Sequence, residues 1–241
     1  MLVESDAIVL HKIKYDDKNL IVHLYSRDFG RMSYMAACHK KRGSLGNAFF
    51  EPLSLINYQA EHKESRELQR LRESHSFYAF RNLPFDPVKN SIALFLSEVL
   101  YRVLQEAEPN ESLFGFLSES IQLLDAMDDG KANFHLIFLS QLSRHLGIMP
   151  NLEDDKPDWY FDLMAGCFVP FPPNHPYWMN QQESADFVLL QQLGFEQAAT
   201  CRFSRFQRRK LLDTLLDYYR LHLNDFPVIK SLDIMQELFE G

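Results

Sequence analysis

The apolar residues of this chain change their spacing at one place, the connector Asn82-Leu83-Pro84-Phe85-Asp86-Pro87. Before it lie short apolar and β-branched runs broken by turn residues; after it, apolar residues recur at helical intervals. A switch of period at a Pro-containing link predicts an α+β chain: strands over residues 1–82, then helices over residues 83–241.

The front part reads as Ala7-Ile8-Val9-Leu10, Leu20-Ile21-Val22-His23-Leu24-Tyr25, Met32-Ser33-Tyr34-Met35-Ala36 and Phe49 to Tyr58, the last interrupted by Pro52. Turn-like Tyr15 to Asn19 and Phe29-Gly30-Arg31 separate the first three. Glu67 to Tyr78 is charged, and its spacing chooses neither strand nor helix. Short strands in so small a segment suit a closed barrel, since closure removes sheet edges. An OB-fold barrel leads, with an SH3-like barrel as the alternative.

Asp86-Pro87 pairs an N-cap with Pro at the first helical position. Ile92, Phe95, Leu96, Val99, Val103 and Leu104 then share a helical face. A second helix is expected from Glu111, and a third from Lys131 to a stop at Gly147 and Pro150. Short links predict antiparallel packing of these three. Residues 151–180 are rich in Pro and aromatics, without a clear period. Asn180 with Glu183, and Ser204 with Gln207, have the spacing of capping boxes. The second opens a long helix with Leu211, Leu212, Leu215, Tyr218 and Tyr219 inward.

Charge follows the same division. The formal net charge is −8, which alone argues against a nucleic-acid partner. Residues 1–81 hold 13 basic and 10 acidic residues, however, and so are +3; the remaining residues sum to −11. No acid occurs from Phe29 to Phe50, a stretch that contains His39-Lys40-Lys41-Arg42 beside the flexible Gly43-Ser44-Leu45-Gly46. Such a loop either contacts phosphates, with Lys12, Lys14 and Arg31 on neighbouring elements, or merely solubilises a hairpin. Within the acidic part, Arg202, Arg205, Arg208, Arg209 and Lys210 interleave with Phe203 and Phe206. That stripe is either a second cationic track or a solvated helix face; cations in a first turn oppose the helix dipole, which favours a nearby anion. Arg102, Lys131 and Arg144 neighbour the helical block's phenylalanines, which either rim a groove for an acidic, hydrophobic peptide or are ordinary core.

With 46% hydrophobic and 24% charged residues, disorder and collagen are excluded. Cys38, Cys167 and Cys201 are isolated, so neither a disulfide scaffold nor a zinc site is expected, and a reducing, cytoplasmic setting is. No signal-peptide pattern opens the sequence and no apolar run is long enough for a membrane span. No G-x-S-x-G, Walker A, H-E-x-x-H or G-x-G-x-x-G motif is present, so no catalytic residue and no cofactor is expected.

Taken in order, Ala7 to Leu10, Tyr15 to Tyr25, Phe29-Gly30-Arg31 and the basic loop resemble the opening of the bacterial RecO family. Phe134 to Leu139 with Leu146 to Leu152 resemble its central helical motif, and Tyr219 to Leu223 with Ile229 to Leu232 its closing segment. The resemblance implies an N-terminal OB fold, an all-helical C-terminal domain and a non-catalytic recombination mediator. Such a protein binds single- and double-stranded DNA, anneals complementary strands and, with RecR, helps load RecA onto strands coated by single-strand binding protein (SSB). It also binds the SSB tail, a role that would fall to the helical block. A purely protein-binding adaptor is the alternative. Many members carry two cysteine pairs where this chain continues into Glu153; only Gly166-Cys167 remains here. Residues 151–180 are therefore expected to be a zinc-finger-like insertion held without metal by Trp159, Tyr160, Phe161, Phe168, Phe171, Tyr177 and Trp178.

Overall fold

The computed structural model describes residues 1–37, 50–63, 65–153, 156 and 158–240. Five strands come first: β1 (Leu2–Lys14), β2 (Asn19–Ser26), β3 (Gly30–Ala37), β4 (Leu55–Glu61) and β5 (Leu68–Ser76). They close in the order β1-β2-β3-β5-β4, with β4 returning to β1. All neighbours are antiparallel except β3 and β5, which run parallel from Ser33↔Leu68 to Met35↔Arg70. This is the OB-like barrel rather than the SH3-like alternative. The undecided segment from Glu67 is mostly strand β5, because both its edges find partners in the closed barrel. The run from Phe49 becomes a strand only after Pro52, which lacks the N–H a ladder needs.

Alternate residues fill the barrel, among them Ala7, Val9, Val22, Leu24, Ile56 and Ala60. Two tyrosines share this interior, and their hydroxyls are satisfied by a chain. Tyr34 and Tyr58 hydroxyls lie 2.8 Å apart, Tyr58 and Ser26 2.9 Å, Ser26 donates to Ser5 at 3.0 Å, and Ser5 donates to the Asp28 carboxylate at 2.6 Å. Each hydroxyl has one proton, so the last two bonds fix the direction of the first two: Tyr34 donates to Tyr58, and Tyr58 to Ser26.

The described residues then form α1 (Pro87–Val103), α2 (Glu111–Ala126), α3 (Lys131–His145), a small sheet of β6 (Tyr160–Asp162), β7 (Cys167–Val169) and β8 (Trp178–Met179), and α4 (Gln181–Gln192), α5 (Arg205–His222) and α6 (Ser231–Glu240). The expected caps are made. Asp86 accepts from the amides of Val88 and Lys89, and Asn180 and Ser204 each form a full capping box.

Secondary structure changes at the connector, but the compact units do not follow that change. One unit is Met1–Ala126 with Ile229–Gly241, the other Met127–Val228. One expectation is corrected. The first three helices are not one antiparallel group: α1, α2 and α6 belong with the barrel, whereas α3 belongs with α4 and α5. The small sheet, ordered β7-β6-β8, lies within the insertion expected at residues 151–180.

In the first unit, α1 lies against β1, where Ser97 Oγ donates to the Leu10 carbonyl at 2.5 Å. Helix α6, which the sequence pattern did not announce, takes its N-terminal partner from α1. The Glu98 carboxylate accepts the Lys230 amide at 3.0 Å and the Ser231 amide and hydroxyl at 2.8 and 2.7 Å. At the end of α2, Asp125 is 1% exposed. It accepts the amides of Arg81, Asn82 and Leu83 at 3.0, 2.9 and 2.7 Å and the Tyr78 hydroxyl at 3.2 Å. Its main-chain carbonyl accepts the buried Lys89 ammonium at 2.7 Å. Burial acts to raise the Asp125 pKa, but these donors outweigh it and hold the carboxyl below its ordinary value.

In the second unit, α3 is covered on most sides, with Phe134, Leu136, Ile137, Phe138, Leu139 and Leu142 buried. Tyr219 of α5 donates to the Leu139 carbonyl at 2.8 Å, and Ser140 donates to Gln191 of α4 at 2.9 Å. The insertion is organised by Phe161, fully buried and 5.2 and 5.3 Å from the rings of Phe168 and Phe187. Asp162 closes the following turn, accepting the amides of Met164 and Ala165. Phe171 is 77% exposed and Tyr177 41%, so these two of the expected aromatics are not core.

Two outcomes are expected. Asp125→Ala should destabilise the protein by about 3–5 kcal/mol in denaturant unfolding, because several amides lose their acceptor at once; Asp125→Asn should recover part of it. After dialysis against a strong chelator, the protein should unfold at an unchanged temperature; one retained zinc per chain, by atomic absorption, would contradict a metal-free insertion.

Candidate nucleic-acid interface

The turn between β2 and β3 sets the geometry of a cleft on the barrel unit lined by two arginines and two carboxylates. Gly30 sits at φ 60°, and a Cβ there would strike the backbone of Glu108. The α1–α2 link therefore lies against this turn, and the Arg31 amide donates to the Glu106 carbonyl at 2.9 Å. That bond uses the free edge of β3 before its pairing with β5 begins at Ser33.

The Arg31 side chain is thereby turned inward. Its guanidinium lies 4.3 Å from the centre of the Tyr101 ring, a cation–π arrangement. Its Nη1 is buried and meets no hydrogen-bond acceptor among the described residues. Burial pushes its pKa down, an effect Tyr101 opposes. Behind it, His11 and His23 stack at 6.0 Å and both touch Tyr101, at 4.8 and 5.2 Å. His23 Nδ1 is bonded to Ser33 Oγ at 2.8 Å. Burial, then the charge of Arg31, lowers the His23 pKa to about 4, and His11 shifts the same way for the same first reasons. Both rings are neutral at pH 7, and the charges that act on the pair are those of Arg31, Arg102 and Glu98.

In front of Arg31 opens a cleft of about 480 Å³, whose lining includes Phe29, Arg31, His62, Arg66, Ala107 and Pro109. That volume falls within the roughly 300–1,000 Å³ of small-ligand sites. Phe29 and His62 stack at 5.0 Å with planes 23° apart. The buried His62 Nδ1 also lacks a partner among the described residues. Arg66, on the β4–β5 loop, is exposed. That loop is fixed by Gln69, 2% exposed, which accepts the Lys63 amide and donates to the carbonyls of Lys63 and Arg66 at 2.8 and 2.6 Å. In OB folds the middle strands and this loop form the usual ligand face.

Of the residues singled out from sequence, Arg31 is in this cleft. Lys12 instead pairs with Glu51 at 2.7 Å and Lys14 with Asp17 at 2.9 Å. His39, Lys40, Lys41 and Arg42 lie outside the described residues. Phe29, His62, Arg66 and Tyr101 were missed. A signal was available for Arg66: Lys63, Arg66, Arg70 and Arg72 form a basic cluster, diluted by acids, in the segment whose strand character was undecided.

The 202–210 stripe is only partly outward. Arg208 turns back to the Phe203 carbonyl at 2.6 Å and Lys210 pairs with Glu183 at 3.2 Å, while Arg202, Arg205 and Arg209 are exposed around Phe206, itself 78% exposed. Arg102, Lys131 and Arg144 are divided between the two units. Arg102 belongs to the barrel unit. Lys131 and Arg144 stand at opposite ends of α3, about 20 Å apart at 1.5 Å rise per residue, and Arg144 donates to the Gln191 carbonyl at 2.8 Å. Among the described residues no group of His, Cys, Asp and Glu is arranged to hold a metal, and no helix is long and apolar enough to cross a membrane.

Two family models cover almost the whole chain: recombination protein O N terminal over residues 1–80 and recombination protein O C terminal over residues 84–232. A DNA repair protein RecO from Phocaeicola vulgatus is 42% identical over 240 residues, 99% of this chain and 100% of the relative. Those from Bacteroides fragilis and Flavobacterium psychrophilum are 39% and 33% identical, over 100% and 99% of this chain and all of each relative.

The histidine pair makes stability pH-dependent. Its members are neutral when folded and protonate more readily when unfolded, so their contribution is intact above pH 6.5 and is lost as pH falls towards about 4. Unfolding free energy measured across that window should fall, and should fall less steeply in His23→Gln.

Proposed function

Because the chain belongs to the RecO family of DNA repair proteins, we propose that it acts by binding single- and double-stranded DNA through its barrel. The observation that carries this reading is Arg31. A part-buried guanidinium with no carboxylate in ion-pair range among the described residues is a costly placement unless an anion completes it. Exposed Arg66 stands on the same cleft. The basic Lys40-Lys41-Arg42 stretch extends the reading on sequence grounds, and Arg202, Arg205 and Arg209 form a second contact. The acidic remainder limits non-specific affinity, which leaves capture to these positions.

The protein is then a non-catalytic, cytoplasmic mediator. It anneals complementary strands and, with RecR, helps load RecA onto SSB-coated DNA, engaging the SSB tail through helices. Lys131 and Arg144, at opposite ends of α3, do not share one tail pocket. The adaptor alternative is not favoured by any feature of the cleft.

Gel shifts across a salt series test the proposal. Binding should be insensitive to sequence and weaken steeply with salt. Reversing Lys40, Lys41 and Arg42 to Glu should lower affinity at low salt about tenfold or more, and Arg66→Ala should flatten the log–log salt slope by about 0.7 if it holds one phosphate of a single strand. Absence of any shift at low salt would instead fit the adaptor.

A further inference from the structure

We propose that the cleft between β3 and the β4–β5 loop is a base subsite, which takes one unstacked nucleobase of a single strand. The inference rests on the DNA-binding reading and adds to it, because contacts to phosphate alone would not need what this cleft contains.

Backbone recognition calls for exposed, adjustable cations such as Arg66 at the rim. The interior is built differently. Two polar atoms there, Arg31 Nη1 and His62 Nδ1, are buried and without a partner among the described residues. Of the other polar groups that line the cavity, Gln69 is bonded to the loop backbone, Ser33 to His23 and one Asp28 oxygen to Ser5, while Glu67 and the second Asp28 oxygen add negative charge that disfavours a phosphate inside. Arg31 is held over the Tyr101 ring by a cation–π contact, unlike a free cation at the rim. Beside these donors stands the Phe29–His62 ring pair.

A donor fixed at the back, a ring nitrogen at one side and an aromatic platform match a planar, acceptor-bearing heterocycle. A carboxylate-rich peptide would also satisfy Arg31. It would have to approach past Asp28 and Glu67, which line the same cleft, and would leave the aromatic platform unused. A base is uncharged and its phosphate can lie outside, towards Arg66. The closed back of the cleft is supplied by the α1–α2 link, pinned by the Arg31–Glu106 bond, so the subsite is preformed.

The test keeps charge constant and removes bases. The full-length protein is titrated with a fluorescein-labelled thymidine oligomer and with an equally long oligomer in which alternate nucleosides are abasic tetrahydrofuran units. The abasic strand should bind about tenfold more weakly, as expected for loss of a stacked base. That ratio should collapse towards one in His62→Ala and in Arg31→Lys, each checked for folding by circular dichroism. Equal binding of the two strands by the unmodified protein overturns the base subsite while leaving charge-driven DNA binding intact, and it needs no variant. A ratio that survives in both folded variants overturns it too, by locating base contact elsewhere. Failure of both strands to bind at low salt overturns the underlying reading itself. Displacement of the oligomer by an Asp- and Glu-rich peptide, with peptide affinity lost in His62→Ala, would assign the cleft to a protein partner instead.

Discussion

One carboxylate, Asp125, receives the consecutive amides of Arg81, Asn82 and Leu83, where the chain leaves the barrel and turns into helix. Those amides belong to no strand and no helix, and the bond from the buried Leu83 amide in particular is out of reach of water. Asp125 supplies the acceptors, and its own carbonyl takes the charge of Lys89 from the first turn of α1. The start of α1 and the end of α2 are thereby fixed to the barrel's exit. The link between those helices then has a defined place against Gly30, and that contact turns Arg31 into the cleft. The site thus depends on an interaction made entirely by residues that line no part of it.

The cleft contrasts with the barrel interior. There, two tyrosines and two serines pass hydrogen bonds along to Asp28, so each of these hydroxyls is paired. Arg31 and His62, at the cleft, keep buried nitrogens without partners among the described residues, as does the Asn57 oxygen on β4. The first two belong to residues that line a cavity in which a ligand can complete them. The neutral histidines behind Arg31 serve the same end, because two more charges there would drive the guanidinium out.

The aromatic insertion shows how another constraint can be exchanged. The chain buries Phe161 against Phe168 and Phe187 and ties the turn with Asp162. A ring fully removed from water contributes roughly 1.5–3 kcal/mol, a large share of what organises a short three-stranded sheet. Phe171 and Tyr177, equally aromatic in sequence, stay outside this core.

The sequence by itself determined what depends on neighbours along the chain. Short apolar and β-branched runs marked the first barrel strands, helical spacing marked α1, α2, α3 and α5, and Asp86, Asn180 and Ser204 marked helix starts because a cap bonds amides only two or three residues away. The resemblance of ordered motifs gave the family. Tertiary structure decided what depends on distant partners. Helix α6 is capped by Glu98, more than a hundred residues earlier, so no local pattern announced its start. Strand β5 is a strand because β3 and β4 flank it, not because its own residues alternate. Lys12, Lys14 and Arg31 looked alike as basic residues near one loop, yet the first two meet carboxylates and only the third is left for a ligand. Charge is written in the sequence; whether that charge is already neutralised is set by which groups folding brings within reach.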